Sequence, residues 1–252
     1  MRPSMSGTRF MTIATAVASV GALLVPASAA AAATASYSVS HVTLGSGTTI
    51  VQRWNPCQRI TYKINLASVP VASRTTILGE TQAAVRLLAA KSGLVYIYRG
   101  QTTEVPRVGS SATQSAELII AYTTPARTNY NLAGSIVGQG GTSSSSWSSS
   151  DGTTTTYASA IIRGFVVFDT PDLLRLLKPG FGTGARRGNV LLHELAHTTG
   201  LGHVNDIHLL MNPSVNASTP NGFAAGDLAG LAALGSHAGC IEIPTFVATD
   251  LN

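Results

Sequence analysis

The sequence is poor in charge, in aromatic rings and in cysteine. Acidic and basic residues fill 11% of its 252 positions, under half the usual share of about 25%. Hydrophobic residues reach 44%, so a disordered chain, which needs low hydrophobicity and high charge, is excluded. Two cysteines are too few for a disulfide-dense miniprotein. Long apolar runs are also missing. The nearest, Met11 to Val25, ends at Pro26 and falls short of the roughly 20 residues that cross a bilayer as a helix. The formal charge of +5 drops to +3 once a leader carrying Arg2 and Arg9 is removed, and the remaining bases are scattered apart from Arg186-Arg187. A nucleic-acid binder concentrates its bases on one face, so no nucleic-acid partner is expected.

What is present begins with a leader. Arg2 and Arg9 precede the apolar run, and Ala27-Ser28-Ala29, Ala31-Ala32-Ala33 and Ala33-Thr34-Ala35 fit an A-x-A cleavage pattern. Residues 1–35 therefore read as a signal peptide cut between about 29 and 35. The mature chain is expected outside the cell, with no stable membrane insertion. In an oxidising compartment Cys57 and Cys240 most simply form one bridge, two free thiols being the alternative. Such a bridge closes a loop of roughly 180 residues and contributes at most about 4–5 kcal/mol in the chain-entropy picture.

The rest predicts an α/β (α+β) arrangement. Residues 36–52 read as a polar lead-in. Arg59 to Asn65 alternates as a strand with Ile60, Tyr62 and Ile64 on one face. A helix runs from the Ser73-Thr76 region to about Lys91, with Ile77, Ala84, Val85, Leu88 and Ala89 at helical spacing and Gly93 as its stop. Leu94 to Tyr98, Glu117 to Tyr122 and Ala160 to Phe168 read as strands, with a short edge strand at Gly134 to Gly138. Residues 139–157, a Gly/Ser/Thr tract, read as a mobile surface loop. Thr170-Pro171-Asp172 opens a short helix with Thr170 as its hydroxyl N-cap. Two further helices are expected, from about Ala185 to Thr199 and from Ala224 to Leu234, and residues 243–252 form a tail.

The chemistry is concentrated in His193-Glu194-Leu195-Ala196-His197-Thr198-Thr199-Gly200-Leu201-Gly202-His203. On a helix, His193 and His197 leave one face a turn apart and can grip one cation. Glu194 stands beside such an ion without binding it. Gly200 can take a positive φ and turn the chain so that His203 reaches the same ion. Three imidazoles with one open position describe a catalytic zinc site, whereas a structural site carries four protein ligands. Chance placement of these five residues at this spacing has a probability of about 10⁻⁵ per chain, so incidental histidines are a poor account of it. His41, His208 and His237 have no partners at ligand spacing.

This stretch resembles the signature of the metzincin zinc endopeptidases. Leu209-Leu210-Met211-Asn212-Pro213 is similar to the methionine turn of that clan, whose Met lies beneath the metal. Within the clan the sequence most resembles the matrixins, particularly the small secreted bacterial type. Gly226 to Gly235 resembles their last helix, and the resemblance implies that Asp227 hydrogen-bonds the methionine turn. Trp54-Asn55-Pro56-Cys57 followed by residues 60–65 is similar to their opening strand.

The resemblance implies a metallopeptidase domain over residues 53–242, with an upper lobe to about 203 and a lower lobe over 204–242. The cleft between them takes one catalytic zinc and a peptide or protein substrate, and the chain is expected to be a monomer. Substrate would pair with the edge strand Gly134, Ser135, Ile136, Val137 and Gly138. Asn212, Pro213 and the residues on to Phe223 would wall the specificity pocket. The chain departs from the family in several places. It has no propeptide thiol to cap the metal, and a Ser/Thr tract replaces the His/Asp-rich loop that holds structural zinc and calcium. Asp169 and Asp172 are candidate calcium ligands, but helix capping accounts for them more simply. Two rival functions share the same residues: a zinc amidase acting on cell-wall or small amides, and a secreted binding module without catalysis. The second has no need of Glu194.

Overall fold

A computed structural model describes residues 36–242 except 45, 151 and 152. The expected leader (1–35) and the whole C-terminal tail (243–252) lie outside the described residues. The fold is mixed α/β, built on a five-stranded sheet.

Three short strands come first: β1 (Ser38–Val39), β2 (His41–Thr43) and β3 (Thr49–Val51). The polar lead-in is therefore structured. β2 and β3 form a hairpin, and β1 pairs with residues far along the chain. Sequence periodicity misses pairings this short, because two or three residues carry no pattern.

β4 (Arg59–Asn65) buries Ile60, Tyr62 and Ile64 on one face, as its alternation predicts. The first helix, α1 (Arg74–Ser92), lays Ile77, Thr81, Ala84, Val85 and Leu88 against the sheet and ends at Gly93. β5 (Val95–Gln101) and β6 (Leu118–Thr123) flank β4 in parallel. β6 is buried along its whole length, as expected of a central strand covered on both faces.

The largest departure from expectation follows. Residues 134–137 are a loop, with Gly134 at φ 70° interrupting an extended run. The edge strand is instead β7 (Gly138–Ser150), and it pairs antiparallel with β8 (Thr155–Asp169) along its full length. The Gly/Ser/Thr tract is thus a long hairpin and not a mobile loop. Its small polar residues need no core, because the ladder to β8 pairs every second residue's backbone and the others face the open edge. The sheet order is β5-β4-β6-β8-β7, so β7 is an edge.

α2 (Thr170–Leu176) begins one residue earlier than the cap reading requires. Asp169 occupies the N-cap, and the Thr170 hydroxyl is buried without a hydrogen bond. α3 (Arg187–His197) packs against β7, and its start is fixed to α1 by a buried pair in which Arg187 donates from Nε and Nη2 to the two Glu80 carboxylate oxygens, each at 3.0 Å. β9 (Leu201–Gly202) receives β1, and α4 (Ala225–Leu234) closes the chain against α1. Cys57 and Cys240 are joined in a disulfide that ties the turn before β4 to the residues after α4. Arg53 and Asn55 reinforce that tie by donating to the carbonyls of Gly239 and Ile241.

Candidate functional site

α3 carries His193 and His197 one turn apart, and the turn after it carries His203. Gly200 makes that turn with φ 96°. A side chain there would be doubly excluded, since a Cβ would collide with the carbonyl of Gln52. The result is a near-equilateral triangle of ring nitrogens. His193 Nε2 lies 3.1 Å from His203 Nε2 and 3.1 Å from His197 Nε2, and the third side is 3.0 Å. Among the described residues this is the one group of three or more His, Cys, Asp or Glu ligand atoms near enough to share an ion.

The hydrogen bonds behind the rings decide what the triangle can hold. His193 Nδ1 donates to the Leu210 carbonyl at 2.7 Å, and His197 Nδ1 donates to the Leu201 carbonyl at 2.8 Å. A carbonyl only accepts, so both protons sit on Nδ1 and both Nε2 atoms present lone pairs to the centre. Burial holds His193 down to about 3, helped by its histidine neighbours and opposed by the Leu210 carbonyl. Burial likewise lowers His197 to about 4 and depresses the exposed His203 to a lesser extent. The rings are neutral at pH 7 and their lone pairs converge. Such a set is repulsive alone and attractive around a cation. Nitrogens that share one tetrahedral zinc stand roughly 3.3 Å apart, and the observed spacing fits that ion.

Glu194 is the neighbour of this triangle. Its carboxylate accepts the backbone N–H of Gly140 on β7, and burial pushes its pKa up to about 8 against that hydrogen bond. The contact depends on glycine. A Cβ at Gly140 would collide with the Glu194 carbonyl, and one at Gly138 would stand 3.0 Å from Glu194 Cγ. The edge strand and the histidine helix can therefore approach each other only without side chains at these two positions.

Asp227, on α4, supports the site from below. Its carboxylate accepts the N–H groups of Leu210 at 2.8 Å and Met211 at 3.1 Å, as well as that of Ala224. Leu210 is the residue whose carbonyl orients His193, so one carboxylate fixes the peptide that fixes a ring. Met211 is fully buried, and its carbonyl accepts from Val204 N, one residue past His203.

A cavity of about 710 Å³ opens over the triangle. It is lined by His193, Glu194, His197 and His203, and by Ser135, Ile136, Val137, Gly138 and Pro213. Of the expected substrate-binding residues, Gly134 and Asn212 do not line it. Asn212 is buried and accepts from Ser214 N. Sequence reasoning missed Gln139 and Gly140, which continue the β7 edge, and Leu176, Leu177 and Val190. Reading the Gly-x-Gly at 138–140 as a point of close backbone approach would have found the first two. Of the candidate calcium ligands, Asp172 pairs with Arg175 at 2.7 Å, while Asp169 keeps one buried oxygen without a hydrogen bond. The other Asp169 oxygen accepts the backbone N–H of Asp172, a capping contact at the start of α2.

No protein-family model matches this chain, and no curated protein matches it.

Proposed function

We propose that the protein is an exported zinc-dependent endopeptidase of metzincin type, closest to the matrixins. The observation that carries this reading is the triangle of Nε2 atoms with the Glu194 carboxylate next to it at the floor of an open cleft. A zinc ion held by His193, His197 and His203 supplies Lewis acidity, which lowers the pKa of water and polarises a carbonyl oxygen. Glu194 does the proton work. Burial alone favours the protonated acid, and a cation at the triangle would favour the ionised form; in that form its carboxylate accepts a proton from the attacking water and later gives it to the departing amine nitrogen. The Gly140 N–H holds one side of that carboxylate in place while the proton moves.

The cleft also favours a polymeric substrate. Gly138, Gln139 and Gly140 border the cavity on the β7 edge; Glu194 keeps the Gly140 N–H, and the edge groups beside it are where an extended peptide can add as a further strand. Asp227, Met211 and the Leu210 carbonyl form the support that keeps His193 in its tautomer and orientation. The Cys57–Cys240 disulfide agrees with an oxidising destination for the mature chain.

The test uses the purified mature protein, an unfolded protein substrate and metal analysis. The expected result is one zinc per chain and hydrolysis that a chelator stops and zinc restores. Glu194→Gln should keep the zinc and lower turnover by roughly 10²–10⁴. Near-normal turnover in that variant would remove Glu194 from its assigned role. Hydrolysis of small amides with no cleavage of polypeptide would replace the peptidase reading with an amidase.

A further inference from the structure

β7 continues well past the cleft. It is 13 residues long, about 43 Å at roughly 3.3 Å per residue, and only its first residues border the histidines. Natural sheets blunt their edges with lysine, proline, bulges or a covering element. The edge Gly138–Ser150 reads GQGGTSSSSWSSS, with neither charge nor proline, and the one bulge in its ladder belongs to β8, where Ile162 is the extra residue opposite Ser143/Ser144. Among the described strands it pairs with β8 alone.

The ladder shows which groups face outward. Gly164 N, opposite Thr142, donates away from β7 to the Glu117 carbonyl, and Ile161 N, opposite Ser144, donates away from it to the Arg53 carbonyl. In an antiparallel ladder, residues opposite such positions turn their own N–H and C=O to the other edge, and the pattern alternates. Thr142, Ser144, Ser146 and Ser148 therefore direct N–H and C=O outward, with no backbone partner among the described residues. The arm is also braced. Gln52 Nε2 donates to Ser144 Oγ at 2.6 Å, and Ser146 and Ser159 hydroxyls bond across the hairpin.

We propose that the distal half of β7, from Thr142 to Ser148, is an exosite that binds an extended, unfolded polypeptide by strand addition, continuous with the strand entering the cleft. The proposal rests on the peptidase reading for its substrate and adds the class: unstructured chains with at least about eight residues reaching beyond the cleaved bond on one side. Backbone groups carry the affinity, so side-chain selectivity along the arm is weak. Folded domains and short peptides are poor substrates.

The test compares a core peptide with two versions extended by eight small uncharged residues, one on each side of the cleaved bond. The zinc-loaded mature chain is expected to gain about tenfold in kcat/KM from extension on one side only, as a few added backbone hydrogen bonds allow. The double variant Ser146→Pro/Ser148→Pro removes two outward N–H groups and leaves the inward ladder to β8 intact. It is expected to lose that gain while cleaving the core peptide within twofold of wild type. A wild-type gain that survives in the variant, or no gain from either extension, overturns the exosite. Should no peptide be cleaved, anisotropy with labelled peptides on zinc-loaded Glu194→Gln separates the two claims. Proline-sensitive binding of one extended peptide keeps the exosite and rejects the peptidase, and equal binding of all three peptides rejects the exosite. Sedimentation gives a further check: a wild-type dimer that the prolines dissociate assigns the edge to a second copy of this chain and overturns the proposal.

Discussion

The two walls of the cleft are built on opposite principles. On the α3 wall His193 and Glu194 are buried, His197 is half-buried, and the groups are held from behind: His193 by Leu210, His197 by Leu201, and the Leu210 peptide by Asp227. On the β7 wall the residues are mostly Gly and Ser, half-buried or exposed, and the edge from Thr142 to Ser148 carries backbone groups without a backbone partner among the described residues. The difference follows from what each wall must bind. A cation needs three atoms fixed to a fraction of an ångström, while a polymer needs a row of hydrogen-bonding groups that accepts many sequences. Glycine at 138 and 140 joins the two walls, because it lets the open edge touch the rigid helix.

This contrast can be broken from either side. The largest effect is expected from His197→Ala, which removes one corner of the triangle: stoichiometric zinc and all hydrolysis should be lost, read by metal analysis and a peptidase assay. Next comes Arg187→Ala. It strands Glu80 at the α1–α3 contact, and breaking a buried pair costs about 3–5 kcal/mol, measured as a fall in the denaturation midpoint. Asp227→Ala should cost about 1–3 kcal/mol for each of the two turn N–H groups left unpaired. It should also weaken zinc binding about 10–100-fold, as lost outer support does at other metal sites, read by competition with a chelator. Both effects together would mark Asp227 as a support for the metal site and for the fold alike. Smallest is a substitution at the exposed end of the arm: Ser148→Ala should change stability by less than about 0.5 kcal/mol. A larger loss would show that the arm contributes to the fold itself.

The α3 wall was legible in the sequence and the β7 wall was not. Histidines at i and i+4 need only a helix to become neighbours, and Gly200 supplies the turn wherever the chain lies. β4 and α1 were legible for a similar reason, since Ile60, Tyr62 and Ile64 or Ile77, Val85 and Leu88 repeat with the period of their element. Residues 139–150 have no such period. They become a strand because Thr155–Asp169 offers a partner ladder, a tertiary cause that a local reading cannot contain. β1 fails in the same way: Ser38 and Val39 are a strand only because Gly202 and Leu201 lie opposite. The Thr170 cap failed by one residue, as Pro171 allows either of the first two helical positions. The disulfide was readable from compartment and count, and reducing it should lower stability by up to about 5 kcal/mol without moving the triangle.

The central claim is that three imidazoles share one zinc and leave a position open. X-ray absorption on the purified, zinc-loaded mature chain tests it most directly. The account expects one zinc per chain with three histidine nitrogens at about 2.0–2.1 Å, a non-protein oxygen in the remaining position and no sulfur, all abolished in His203→Ala. A fourth protein ligand, a sulfur shell, or an unchanged spectrum in His203→Ala would contradict it.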